Sequence, residues 1–238
     1  MKRVDTELRV TDAGAWFVVH TDEAAFREVL PGLAYQASDG AFERWFPVNA
    51  PDLHRIYRNF EQHIEELLEQ TARRRRVPWE DALSELAARL DGAGIDWFVS
   101  GSAALAIRGI EVEPRDIDFV TNNHDRVATA LADALIEPPL HDSDRRWIAA
   151  WFGRAYLGAR VEWAAGVYPD YDDWGAPNEI GPTATSRLER VRWNQRSLLV
   201  PPLDIQLAVN EKRGLDDRVD AIRRFSVNAK RGHQAIPP

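Results

Sequence analysis

The chain has 238 residues, 45% of them hydrophobic, and a formal net charge of −8, enough for one large core or a core plus a smaller one. It has no cysteine, which excludes disulfides and thiolate metal sites. It has no apolar run of about 18 residues that could span a membrane and no apolar segment after Met1 resembling a signal peptide, so the expected compartment is the cytoplasm. The acidic balance argues against broad DNA binding. It is compatible with a cationic small substrate and leaves room for a local basic patch that meets RNA.

Residues 1–72 read as a separate α+β module. Ala15 to His20 is an apolar strand, and Thr21 can cap a helix from Asp22 to Leu30 that stops at Pro31-Gly32. Leu33 to Gln36 and Ala41 to Phe46 can pair across Ser38-Asp39-Gly40. Asn49-Ala50-Pro51 opens a long helix with a stripe of Leu53, Ile56, Tyr57, Phe60, Ile64, Leu67 and Leu68. His54 and His63 on it do not share a face and read as surface residues. Arg73 to Arg76 form, with Val77-Pro78, a basic linker over 73–78. The plain reading is a solvated helix end suited to the dipole; the alternative is a contact for nucleotide phosphates or RNA.

A helix from Trp79 to Asp91 turns Leu83, Leu86, Ala87 and Leu90 inward and stops at Gly92 and Gly94. Trp97 to Val99 is a short buried strand, Gly101-Ser102 a turn, and Ala103 to Arg108 a short helix closed by Gly109. Arg115 to Thr121 alternates charged and apolar residues, as a strand with one buried face does. That spacing puts Asp116 and Asp118 on one side, their side chains roughly 6–7 Å apart. Two carboxylates held this way repel each other, and a divalent cation with oxygen ligands offsets the repulsion. Gly101 lets the backbone approach a ligand, and Ser102 lies where helix N–H groups favour phosphate.

Asn122 or Asn123 caps a helix to about Ile136, ended by Pro138-Pro139. Trp147 to Phe152 and Ala155 to Ala165 read as two strands joined near Gly153-Arg154, with Arg160 and Glu162 on the face opposite Val161 and Trp163. Val167 to Trp174 interleaves aromatics with acids, which suits a cationic or sugar-like acceptor or equally an acidic surface loop. Arg190 to Val200 reads as a hairpin turning at Asn194-Gln195. Two helices follow, Leu203 to Arg213 and Leu215 to Phe225, and residues 226–238 read as a disordered tail.

The order of strand, Gly101-Ser102, thirteen intervening residues and then Asp116-Ile117-Asp118 in a second strand resembles the signature of the nucleotidyltransferase fold, the superfamily of DNA polymerase β. The wording Gly-Ser-Ala-Ala-Leu-Ala-x-Arg-Gly with Arg-Asp-Ile-Asp-Phe-Val is similar to small bacterial members, the antibiotic nucleotidyltransferases and abortive-infection-type toxins. The resemblance covers about residues 79–225. It implies an α/β domain with a small mixed sheet flanked by helices and a C-terminal helical segment. It also implies Mg²⁺- or Mn²⁺-dependent transfer of a nucleoside monophosphate from an NTP to an acceptor hydroxyl. By position Asp116, Asp118 and Glu162 become the catalytic and metal-binding carboxylates. Gly101, Ser102, Arg115 and Lys212 become nucleotide contacts, and Asp217 a buried anchor. The acceptor expected from the acidic balance is an antibiotic-like small molecule. The alternatives are a toxin that modifies tRNA or protein, and a non-catalytic nucleotide-binding module.

Overall fold

The first strand of the chain is one that its sequence does not announce. In the computed structural model, which describes residues 3–171 and 178–234, β1 (Asp5–Thr11) pairs antiparallel with β2 (Gly14–His20) along its whole length. It is an edge strand with mostly exposed side chains, held by backbone hydrogen bonds, so no apolar alternation marks it. A helix, α1 (Ala24–Val29), follows. It starts later than the sequence suggests because the Thr21 hydroxyl accepts the Glu23 N–H and holds the chain extended there. Leu30–Leu33 continue as a 3₁₀ turn, so the next strand, β3 (Gln36–Ser38), begins beyond Leu33. Asp39 and Gly40 both take positive φ, 44° and 84°, as a tight hairpin turn into β4 (Ala41–Phe46) requires. The sheet order is β1-β2-β4-β3.

The apolar stripe forms as read: in α2 (Leu53–Thr71), Leu53, Ile56, Phe60, Ile64, Leu67 and Leu68 are buried. Phe60 meets Phe17 of β2 at 5.1 Å between ring centroids. On another face, the Asn59 amide donates to the carbonyls of Asp133 and Leu135. One buried apolar cluster therefore runs from the first sheet through α2 into the second sheet.

The second sheet is mixed, as expected. After α3 (Trp79–Gly92) come β5 (Trp97–Ser100), α4 (Gly101–Ile107), β6 (Ile117–Thr121) and α5 (His124–Ala130), capped by the Asn123 side chain. β7 (Leu135–His141), β8 (Ala149–Tyr156) and β9 (Arg160–Val167) complete the sheet in the order β5-β6-β9-β8-β7. Only β6 and β9 pair in parallel.

Two expectations are corrected here. The helix after Asn123 ends at Ala130 rather than near Ile136, and Pro138-Pro139 lie inside β7. This strand is at the sheet edge and its register slips between Leu135 and Leu140, the setting in which a missing N–H costs least. Gly153-Arg154 is not a turn either: both lie within β8, and the turn falls at Leu157–Ala159, with Gly158 at φ 78°. Gly153 is required by packing, since a Cβ there would stand 2.0 Å from Cζ2 of the buried Trp163. Gly153→Ala is expected to cost about 2–3 kcal/mol through overpacking, read from urea unfolding; an unchanged midpoint would mean the Trp163 ring moves freely aside.

The C-terminal part comprises α6 (Pro182–Thr185), β10 (Glu189–Trp193), β11 (Arg196–Val200), α7 (Leu203–Lys212) and α8 (Asp216–Gln234). The β10–β11 hairpin turns at Asn194-Gln195, both at positive φ. Ala221 and Ile222 of α8 pack on Leu105 and Ile110. The helix runs on to Gln234 where a tail from residue 226 was expected, because Ala229, Lys230 and Arg231 favour helix and no proline intervenes. Among the described residues, no helix is long and apolar enough to cross a membrane.

Candidate metal centre

The parallel pairing of β6 with β9 sets Asp118 directly beside Glu162. Paired residues share a sheet face, so both carboxylates leave the sheet on one side. Asp116 sits one residue before β6. Oxygens of Asp116, Asp118 and Glu162 lie within 4.8 Å of one another, so the three residues named from the sequence come together and can hold a metal ion. The donors are all carboxylate oxygens, which suit Mg²⁺ or Mn²⁺.

The three acids are not equivalent. Asp116 is ion-paired with Arg160. Glu162 takes the Arg154 Nε at 2.6 Å and has the Arg160 Nε at 3.5 Å. Arg154 reaches on to Glu137 at 2.7 Å, Glu137 meets Arg44 at 2.8 Å, and the Tyr35 hydroxyl donates to Glu137. A chain of alternating charges thus runs from β4 across β7, β8 and β9 to the start of β6. Burial alone would push the Glu162 carboxyl up, but Arg154 and then Arg160 more than offset it and hold it below its ordinary range. Asp118 has no arginine of its own among the described residues. Burial, then Asp116 and Glu162, push its carboxyl well above the usual range, and Arg160 offsets only part of this. A cation at the cluster would relieve that repulsion.

Gly101 opens α4 at φ 63°, and a Cβ there would stand 2.6 Å from the Asp118 Oδ2. The glycine is therefore needed for the approach of this bend to Asp118. Its N–H does not stand open: it donates to the Glu179 Oε2 at 3.0 Å, an oxygen that also accepts the Gln206 Nε2 at 3.0 Å. Glu179 had no signal in the sequence, because its role rests on long-range contacts with the start of α4 and with α7. Ser102 is 3% exposed, and the hollow beside Asp118 is lined by Ser100 and not by Ser102. Lys212 is exposed and lines neither of the two larger hollows, whereas its neighbour Arg213 lines both. Asp217, expected as a buried anchor, is exposed; the buried polar residues of this region are Gln206 and Asn210, one turn apart on α7. Arg115 is exposed at the rim of the larger hollow.

The hollow beside the carboxylates measures about 560 Å³ and is walled by Trp147, Phe152, Trp163 and Tyr171. Of the aromatic–acidic loop, Tyr168 donates to the Asp142 carbonyl and Asp170 pairs with Arg145 at 2.5 Å. Asp172, Asp173 and Trp174 lie outside the described residues. His54 is exposed, while His63 is half-buried and stacks on Tyr156 at 4.7 Å.

No protein-family model matches the chain, and no curated protein matches it. A crystal structure of a protein from Thermotoga maritima, provisionally assigned as a nucleotidyltransferase, aligns with 61% of this chain and 91% of that one at 19% identity and a TM-score of 0.45.

Proposed function

We propose that the chain is a divalent-cation-dependent nucleotidyltransferase that moves a nucleoside monophosphate from an NTP to an acceptor hydroxyl. The observation that supports this reading best is the convergence of Asp116, Asp118 and Glu162, the last two lining an aromatic-walled hollow, with Asp118 lacking an ion-pair partner among the described residues. A module that only bound nucleotide would have no need to crowd three carboxylates.

Bound by these three residues, Mg²⁺ or Mn²⁺ would supply the positive charge that polarises the α-phosphate and steadies the departing pyrophosphate. The chain's own groups divide the remaining work. Glu162, held ionised by two arginines, acts as a ligand and not as the base that takes the acceptor proton. The aromatic walls offer stacking surface for a nucleobase. Arg213 and Arg115 offer guanidinium forks to phosphate oxygens, with Arg213 taking the place first given to Lys212. The acceptor oxygen forms a bond to the α-phosphorus, the bond to pyrophosphate breaks, and the hydroxyl proton passes to water.

Incubation with each α-labelled NTP, Mg²⁺ and a mixture of RNA, protein and aminoglycosides is expected to move label onto one acceptor with matching pyrophosphate release. Nucleotide binding with no label transfer and no pyrophosphate from any NTP would replace this reading with the non-catalytic one.

A further inference from the structure

Beside the carboxylate site lies a larger hollow of about 970 Å³, and its lining is basic: seven arginines against four carboxylates. The imbalance stands out in a chain whose net charge is −8. Most arginines elsewhere on the surface are committed to acidic partners. Here Arg73, Arg76, Arg115, Arg213 and Arg218 have no carboxylate at ion-pair distance among the described residues; only Arg74 and Arg75 pair, the first with Glu23 and the second with Glu66 and Glu69. The linker that carries four of the seven is held in place, since the N–H groups of Arg74 and Arg75 both donate to the Glu69 carbonyl. Arg213 at the end of α7 and Arg218 in the first turn of α8 line the same hollow. Both sides of the hollow therefore present guanidinium groups, and Arg213 also lines the hollow that contains Asp118 and Glu162.

We infer that this groove seats a single-stranded polynucleotide whose terminal hydroxyl is the acceptor. The inference rests on the proposed transferase reading and names its substrate class. A nucleotide's own phosphates would engage Arg213 and Arg115 at the groove's inner rim and leave Arg73, Arg76 and Arg218 without a role. A strand with a phosphate at every residue matches guanidinium groups repeated along two walls. A single strand can thread from the groove toward the hollow of about 560 Å³ that Asp118 lines. A cationic small acceptor would be repelled by the groove. In the transfer, the terminal hydroxyl oxygen bonds to the α-phosphorus, pyrophosphate leaves, and the proton passes to water, so the strand grows by one nucleotide.

The test is the anisotropy of a labelled single-stranded RNA of about 12 nucleotides, and of the matching DNA, read without NTP or metal. Binding is expected to fall steeply between about 50 and 200 mM salt. The Arg73→Gln/Arg76→Gln variant, altered only at exposed unpaired positions, should melt like the parent. It should bind about tenfold more weakly, with a log–log salt slope flatter by about 1.4. Tighter binding of RNA than DNA would assign an RNA acceptor, and equal binding a backbone-only contact; either supports the groove. No binding, an unchanged variant, or displacement by poly-glutamate as effective as by unlabelled RNA would overturn it. Binding of a fluorescent Mg²⁺–ATP analogue is measured on the same protein. If the nucleotide binds and releases pyrophosphate while the strand does not bind, the groove proposal fails alone. If the strand binds and no NTP does, the transferase reading fails alone.

Discussion

Asp118→Asn is expected to reduce Mg²⁺-dependent pyrophosphate release by about 10³-fold or more, the loss of several kcal/mol of charge stabilisation at the reacting phosphate. The metal-free protein should meanwhile melt no lower than the parent. Asp118 is the carboxylate that lacks a cationic partner among the described residues and is crowded by Asp116, Glu162 and Glu179. Asparagine keeps its shape and removes the buried charge. Asp116→Asn should also lose activity, but with the opposite effect on stability. It takes away the closer of the two carboxylate partners of Arg160, a guanidinium only 13% exposed whose Nε already lacks a hydrogen bond, and should cost about 1–3 kcal/mol. The pair of variants separates metal binding from folding. Full activity in Asp118→Asn would remove the cation from the reaction, and a large drop in its melting temperature would make the residue structural.

The second large effect falls on Arg154, whose side chain is 5% exposed and spans Glu162 through Nε and Glu137 through Nη1. Nη1 also donates to the Leu33 carbonyl at 3.1 Å, tying β8 to the N-terminal sheet region. Arg154→Met fills the space but leaves Glu137 with Arg44 alone and makes Glu162 share Arg160 with Asp116 in the interior, and about 3–5 kcal/mol of stability should be lost in urea unfolding. Arg154→Lys retains the charge but cannot span the fork, so it should lose less. Adding Glu162→Gln to Arg154→Met should return part of the deficit, because Arg160 then serves Asp116 alone and one uncompensated charge is gone. A loss below about 1 kcal/mol for Arg154→Met would place this network with exposed ion pairs that contribute little.

How much of this was legible in the sequence depended on the range of the physics involved. The Asp116–Asp118 pair was readable because strand periodicity is local, and so was the Asn194-Gln195 turn, set by its own backbone. The α2 stripe was readable for the same reason. β1 was not, since an edge strand held through its backbone needs no apolar pattern. Pro138-Pro139 pointed to a helix end, and only the position of β7 at the sheet edge makes them tolerable in a strand. Gly153 looked like a turn because the ring that requires it, Trp163, comes from the neighbouring strand. Glu179 on the Gly101 N–H, and the lining of both hollows by Arg213 and not by Lys212, depend on how α7 docks, which spacing alone does not determine. The linker arginines were visible as a run. Their counterparts at the end of α7 and in the first turn of α8, which make them a groove, were not.

The most direct measurement is Mn²⁺ binding to the metal-free protein, followed by the loss of the free-ion EPR signal. The expected result is a saturable site in the parent that disappears in Asp118→Asn while both proteins remain folded. Mn²⁺ that stays free in the presence of excess parent protein, or that binds Asp118→Asn equally well, would contradict a cation centre at Asp116, Asp118 and Glu162.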